Sequence, residues 1–165
     1  MLERLVSAPV IAAVTESDLP ELLPLMRGYC DFYEVAPSDE ALLALSRTLI
    51  ADPDQGVQLI ARDDGGAAVG FATIFWTWST LSASRLGVMN DLFVADGARG
   101  GGFADALIAA CAERCRERGA VELAWQTAHT NLRAQAVYER VGATRDERWL
   151  DYSLSVAPGA TTPDS

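Results

Sequence analysis

The chain has 165 residues, of which half are hydrophobic and 22% are charged, as in an ordinary globular protein. Its 13 basic and 23 acidic residues give a net charge of −10, which disfavours nucleic acid as a partner. Every basic residue is arginine, so the chain has no lysine for Schiff-base chemistry or for the attachment of pyridoxal phosphate.

The apolar runs and the cysteines indicate the compartment. No run reaches the roughly 18–20 apolar residues of a membrane helix. The N-terminal residues are too acidic, and their apolar run too short, for a signal peptide. Cys30, Cys111 and Cys115 form no Cys-x-x-Cys pair, which argues against a disulfide framework and a metal site. We therefore expect a cytoplasmic protein without membrane contact and without a metal.

The N-terminal third of the chain predicts a short strand and two helices. The apolar run 9–14 predicts the strand. Thr15 and Asp18 have the spacing of a capping box, and apolar residues at helical spacing predict a helix to about Tyr33. Ser38 suits an N-cap, so a second helix is expected from there to about Ile50.

The middle of the chain predicts three more strands and a helix. Strands over 57–61 and 67–77 flank an Asp-Asp-Gly-Gly segment, whose residue types favour a hairpin turn. A polar loop is expected to lead to a fourth strand over 86–94. A helix follows over about 102–118, and Gly119 suits its C-terminal end.

The C-terminal part predicts a fifth strand over 121–127, a helix over 131–140 and one final strand, or two, over 143–154. Residues 155–165 show no apolar period and are expected to form a flexible tail. With no repeat and no linker, residues 1–154 are expected to form a single domain. Antiparallel strands followed by a β-α-β unit indicate a mixed α/β (α+β) fold.

Three consecutive glycines stand between the fourth strand and the next helix. Their N–H groups would lie at the positive end of the helix dipole, which is a site for phosphate or pyrophosphate. A Walker loop is excluded because it needs lysine, and the dinucleotide pattern fails because Asp105 stands where its third glycine belongs. The loop resembles the coenzyme A loop [QR]-x-x-G-x-[GA], which Arg99, Gly102 and Ala104 satisfy.

Three segments resemble the GNAT-type N-acetyltransferases, and among them most closely the spermidine/spermine (diamine, thialysine) acetyltransferases. They are 90–107, NDLFVADGARGGGFADAL; 131–143, NLRAQAVYERVGA; and, as a weaker match, 75–85, FWTWSTLSASR. The resemblance implies a mixed, mostly antiparallel sheet of six to seven strands with about four helices. It also implies that the fourth and fifth strands are splayed for coenzyme A.

The resemblance implies acetyl-CoA as the cofactor and suggests how the chain holds it. Backbone groups of the fourth strand would bind the pantetheine arm, and amides of the glycine loop would bind the pyrophosphate. The residues assigned to the cofactor are Leu92, Phe93, Val94, Arg99, Gly100, Gly101, Gly102, Phe103, Ala104, Asp105, Asn131, Ala134 and Tyr138.

Acetyl transfer from a thioester to an amine needs a group that accepts a proton from the ammonium and another that protonates the departing thiolate. The resemblance suggests Tyr138 as the proton donor. Asn131 would bond the pantetheine or position the acetyl group. It precedes Tyr138 by seven residues, or two helical turns, so both side chains are expected on one helix face.

The proton acceptor has several candidates. Asn90 stands where polyamine acetyltransferases of this type usually carry glutamate, and an amide cannot accept a proton at neutral pH. Strand alternation would place Asn90 and Asp91 on opposite faces. The alternatives are a water chain that ends on Asp91, Glu34 or Glu122, or the one histidine, His129, because the ordinary pKa of histidine suits a base.

The residues expected to contact the substrate are mainly aromatic or acidic, which suits an ammonium group. They come from the end of the first helix and from the third, fourth and fifth strands: Tyr29, Asp31, Phe32, Tyr33, Glu34, Trp76, Trp78, Asn90, Trp125 and Gln126.

The sequence thus predicts acetyl transfer by direct attack of a primary amine on acetyl-CoA. The acceptor would be a small cationic substrate: a polyamine, a diamine or an amino-acid-like amine. A protein N-terminus or lysine side chain is an alternative acceptor, and a non-catalytic acyl-CoA-binding module is an alternative function. A homodimer is also expected, with the region of the final strand as the candidate dimer surface.

Overall fold

The computed structural model describes residues 8–158, which contain five strands and four α-helices. The strands are β1 (Val10–Ala13), β2 (Gly56–Arg62), β3 (Ala68–Ser79), β4 (Ser84–Val94) and β5 (Ala120–Ala124). The helices are α1 (Leu19–Phe32), α2 (Asp39–Ala51), α3 (Phe103–Glu117) and α4 (Leu132–Arg140). In this part of the chain, no helix has the length and apolar composition needed to cross a bilayer.

The strands form one mixed sheet in chain order, β1-β2-β3-β4-β5. The first four pair antiparallel, whereas β5 runs parallel to β4, as a crossover through α3 requires. The pairing of β4 with β5 ends at Val88 and Ala124. Within residues 8–158, the second half of β4 therefore has a free backbone edge on that side.

The sheet is covered on both faces. On one face, Leu22 of α1 belongs to a buried cluster with Phe71 of β3. On the other face, Leu107 and Cys111 of α3 belong to a second buried cluster with Ile74 of β3. Successive residues of a strand point to opposite faces, so β3 contributes to both clusters. The mixed α/β class predicted from the sequence is confirmed.

Local sequence signals set the ends of the helices. Thr15 N–H donates to Asp18 Oδ2 at 2.8 Å, which is half of the predicted capping box. Ser38 Oγ accepts a hydrogen bond from the Ala41 N–H at 3.2 Å and caps α2. Gly119, which follows the C-cap residue Arg118 of α3, has a φ of +68°, as a glycine that ends a helix often does.

Two predictions about the strands are wrong. Residues 143–154 form no strand, so the sheet in residues 8–158 has five strands instead of six or seven. Period-two patterning describes one strand alone, and forming a ladder also needs a partner in register. The polar loop expected after residue 77 is a hairpin instead, since β3 continues to Ser79 and a four-residue turn leads into β4.

The division into a domain over 1–154 and a tail over 155–165 stays a prediction. Residues 155–158 have no regular secondary structure. The remaining predicted tail, 159–165, and residues 1–7 lie outside the described residues.

Candidate active site

A cavity of about 590 Å³ lies between the second half of β4, the glycine loop and α4. The end of α1 forms another part of its wall, through Tyr29, Phe32 and Tyr33. Every residue predicted to hold the cofactor lines this cavity except Gly101, which lines an adjoining depression. The structure thus brings two motifs together that are about 30 residues apart in the sequence, the glycine loop and the segment that begins at Asn131.

The glycine loop turns the chain from β4 into α3 through two left-handed residues. The φ angle is +82° at Gly100 and +79° at Gly102, values that other residue types adopt at a cost. Ala106 N–H donates to Gly102 O at 3.0 Å, so the preceding N–H groups, at Phe103, Ala104 and Asp105, have no partner within α3. Free N–H groups at a helix N-terminus fit a pyrophosphate.

Three arginines line the cavity, although the net charge of the chain is −10. Arg99 Nη1 lies 2.6 Å from Asp96 Oδ1. Arg140 Nη2, at the end of α4, lies 2.5 Å from Oδ1 of Asp105 in the first turn of α3. Arg133 is the third. This positive charge favours phosphate groups, but no sequence motif singled out Arg133 or Arg140.

A bulge in β4 changes the expected orientation of two side chains. Thr73 pairs with Asp91 and Ile74 pairs with Met89, so Asn90 is an additional residue in β4. Asn90 Nδ2 donates to Asp91 Oδ1 at 2.9 Å. The prediction that these side chains lie on opposite faces is therefore wrong, because a bulge interrupts the alternation of the strand. The side-chain amide of Asn90 thus fixes the position of the Asp91 carboxylate.

Tyr29 connects α1 to the bulge. Its hydroxyl donates to Asn90 O at 3.2 Å, and its ring packs edge-on against Tyr33 with a centroid distance of 5.0 Å. Burial, and next the negative charge of Asp91, raise the pKa of Tyr29 above its ordinary value. The hydroxyl therefore stays protonated beside the Asp91 carboxylate.

Tyr138 is half-buried on α4, and its ring packs edge-on against Trp125 with a centroid distance of 5.3 Å. Burial raises the pKa of Tyr138, the nearby Tyr33 raises it further, and a hydrogen bond with Thr127 acts in the opposite direction. A phenol with a raised pKa is protonated at neutral pH. Tyr138 can therefore donate a proton into the cavity that it lines.

Asn131 combines a structural contact with a place in the cavity wall. Its Oδ1 accepts a hydrogen bond from the Ala134 N–H at 3.2 Å, which caps α4. The side-chain NH₂ group does not take part in this cap. It is therefore the part of Asn131 that can donate to a ligand in the cavity.

Other predicted residues do not line the cavity. Trp76 pairs with Gly87 at the far half of β3, and its Nε1 donates to Pro53 O at 3.1 Å. Trp78 lies beyond it and is 67% exposed. His129 is exposed in the turn before α4. The other predicted residues that do not line the cavity are Asp31, Glu34, Asn90, Asp91, Glu122, Trp125 and Gln126. Asp91 and Trp125 are half-buried, and the rest are exposed.

The family model described as the acetyltransferase (GNAT) family matches residues 22–143, which is more than half of the chain. The chain belongs to the GNAT acetyltransferase family. An uncharacterized N-acetyltransferase of Bacillus subtilis (strain 168), YhfO, is 32% identical over 140 residues, which cover 85% of this chain and 93% of that protein.

Solved structures agree with this assignment. A probable acetyltransferase superposes with a TM-score of 0.80 and 29% identity, over 90% of this chain and 98% of that one. The aminoglycoside acetyltransferase AAC(6')-Iy, in complex with the bisubstrate analogue CoA-S-monomethyl-acetylneamine, has a TM-score of 0.79 and 25% identity. That match covers 90% of this chain and 99% of the other. The protein is thus an N-acetyltransferase, and its cofactor is acetyl-CoA.

Proposed function

We propose that this enzyme acetylates a primary amine of a small cationic molecule, in the class of polyamines, diamines and amino-acid-like amines, by direct attack of the amine. One observation carries the proposal. Asp91, held by Asn90, lies beside Tyr29, and Tyr29 lines the cavity together with Tyr138 and the glycine loop. A carboxylate and a protonated phenol are the two proton-transfer groups that the reaction needs.

Acetyl-CoA supplies an acetyl group that is activated as a thioester. The free N–H groups in the first turn of α3, directly after the glycine loop, bind its pyrophosphate, as their geometry favours. The free edge of β4 at Leu92, Phe93 and Val94 binds the pantetheine arm as it would an added strand. Asn131 orients the acyl end through its side-chain NH₂ group.

Proton transfer is assigned to Asp91 and Tyr138. Asp91 accepts a proton from the substrate ammonium at a carboxylate oxygen, directly or through water. It is favoured over Glu34, Glu122 and His129 because it is half-buried beside Tyr29 of the cavity wall, whereas those three side chains are exposed. Tyr138 donates its hydroxyl proton to the sulfur of the departing thiolate, since its raised pKa keeps the proton in place until then. The second proton that the substrate nitrogen loses as the amide forms restores the Tyr138 hydroxyl, directly or through water.

The experiment that tests this assignment measures kcat/KM by free-thiol release in Asp91→Asn and in a matched control, Asp64→Asn. Both remove one negative charge, but Asp64 is exposed in the turn between β2 and β3. Asp91→Asn should lower kcat/KM by on the order of 100-fold, the lower end of the usual range for a proton-transfer group. Asp64→Asn should match the wild type. Wild-type activity in Asp91→Asn would reject Asp91 as the proton acceptor.

A small-molecule acceptor and a protein acceptor are distinguished by experiment. Free-thiol release with a panel of small amines and a panel of peptides separates the two classes. Faster release with peptides would favour the protein acceptor.

We also propose that the protein is a homodimer in the cytoplasm. Apolar side chains that alternate along the segment after α4 are 74–89% exposed: Leu150, Tyr152, Leu154 and Val156. In the part of the chain that the structure describes, β5 is an edge strand, so the same segment of a second copy can add to it. Light scattering should give twice the chain mass of 17.7 kDa. The monomer mass at micromolar concentration would refute the dimer.

The three cysteines, all unpaired and buried, are consistent with a reducing compartment.

A further inference from the structure

Three aromatic rings at the end of α1 form one end of the cavity. We call Tyr29, Phe32 and Tyr33 the aromatic wall. The ring centroids of Tyr29 and Tyr33 are 5.0 Å apart, and so are those of Phe32 and Tyr33. Phe32 and Tyr33 remain 54% and 42% exposed, so their rings offer surface to a ligand in the cavity. Ring faces of this kind attract both apolar groups and cations.

The charge beside the aromatic wall is negative. The Asp91 carboxylate lies next to Tyr29, with one oxygen already accepting a hydrogen bond from Asn90. Burial raises the pKa of Tyr29 most, and the negative charge of Asp91 raises it further. Asp31 and Glu34 add two exposed carboxylates to the same end of α1.

The one basic side chain of α1 already has an acidic partner. Arg27 pairs with Asp39, to which its Nε donates at 2.7 Å. The chain has no lysine that could supply another cation. A substrate carboxylate at the aromatic wall would therefore have Asp91 as a neighbour and no unoccupied cation among these groups.

Two of the three arginines that line the cavity lie at its other end. Arg99 is part of the glycine loop, and Arg140 pairs with Asp105 at the start of α3. Arg133 lies near the start of α4, two helical turns before Arg140. The positive charges of Arg99 and Arg140 thus lie at the phosphate end, and the negative charge of Asp91 lies beside the aromatic wall.

We propose that the acceptor is a primary amine without a carboxylate next to its amino group, with an apolar or aromatic body that contacts the aromatic wall. This inference rests on the proposed function, since it concerns the acceptor site of the same reaction. Asp91 and the ring faces attract the ammonium group. A carboxylate one carbon away from the ammonium would be desolvated near Asp91 without a cationic partner, which disfavours α-amino acids.

The test uses pairs that differ by a single carboxylate: tyramine and tyrosine, phenethylamine and phenylalanine, putrescine and ornithine. Isothermal titration calorimetry measures their binding to the full chain saturated with CoA, so that no turnover is needed. In each pair the amine should bind at least about tenfold more tightly than its amino acid, a difference of about 1.4 kcal/mol. Equal or tighter binding of the amino acids would overturn the inference, and so would the absence of binding by all three amines.

A pair of variants localises the effect. Phe32→Arg places a cation at the aromatic wall and should reduce the preference for the amine by about fivefold or more, through improved amino-acid binding. Leu81→Arg adds the same charge at an 86% exposed site in the hairpin between β3 and β4 and should leave the preference unchanged. Equal effects of both variants would show that net charge, and not the aromatic wall, determines the preference.

Free-thiol release with the same pairs separates this inference from the proposed function. Equal acetylation of an amine and its amino acid would refute the inference and leave the acetyltransferase proposal intact. Selective binding of the amines without acetylation would refute the proposed reaction and leave the inferred preference for amines over amino acids intact.

Discussion

Replacing Gly102 by alanine perturbs the loop on which cofactor binding depends. Gly102 caps α3 with a φ of +79° and a ψ of 8°, and an added Cβ would meet no atom within 4 Å. The expected effect is therefore conformational and not steric. An L-residue in the left-handed region costs about 1–2 kcal/mol. At roughly 2–4 °C per kcal/mol for a chain of this size, Tm should fall by about 2–8 °C.

The chain can also relieve this strain by changing the backbone conformation of the glycine loop. The N–H groups of Phe103 and Ala104 would then turn away from the pyrophosphate site, and acetyl-CoA would bind more weakly. A cost of about 1–2 kcal/mol corresponds to a Kd that is about 5–30 times higher. Thermal unfolding without ligand measures the loss of stability, and calorimetric titration with acetyl-CoA measures the loss of binding free energy. The two losses should add up to the backbone strain of about 1–2 kcal/mol.

Gly97→Ala is the matched control. This glycine lies five residues earlier in the same loop region, has no positive φ, and leaves open space around an added Cβ. Its replacement should change stability and affinity by no more than about 0.5 kcal/mol. The reasoning is refuted if Gly102→Ala leaves both Tm and Kd unchanged, or if Gly97→Ala has the same effect.

Three other substitutions test different parts of the structure. Tyr138→Phe should lower kcat by about 10²–10⁴-fold and leave the Kd of acetyl-CoA almost unchanged, because it removes the proton donor and keeps the packed ring; wild-type kcat would reject the role. Gly70→Ala should cost about 1–3 kcal/mol in urea unfolding, since its Cβ would lie 2.7 Å from Phe93 O; an unchanged midpoint would contradict the packing. The Thr15 N–H lowers the pKa of Asp18, so this carboxylate stabilises the fold above about pH 4, and the contribution is lost as the pH falls through the lowered pKa. Asp18→Asn should reduce the loss of stability measured between neutral and acid pH; an unaltered pH dependence would exclude that contribution.

The cofactor end of the cavity could be predicted because its chemistry is local. A left-handed backbone needs glycine, and a helix start exposes N–H groups wherever the helix packs. Gly100, Gly102 and the first turn of α3 therefore occupy the predicted positions. Their assignment to coenzyme A came from the family resemblance, which the match over residues 22–143 confirms.

The orientation of Asn90 and Asp91 could not be predicted in this way. A bulge depends on the register between two strands, and nothing in the sequence of β4 alone marks the additional residue. The position of Trp76 could not be predicted for the same reason. Aromatic character places it in a strand, but its distance from the cavity follows from its pairing with Gly87. The missing final strand is a third example, since alternation along 143–154 says nothing about a partner.

The most direct test of the central claim measures free thiol released from acetyl-CoA as the concentration of a small primary amine is raised. We expect saturable release by the wild type, an equal amount of N-acetylated amine by mass spectrometry, and a loss of on the order of 100-fold in Asp91→Asn. If acetyl-CoA stabilises the protein but no amine raises thiol release above the background, the proposed reaction is contradicted.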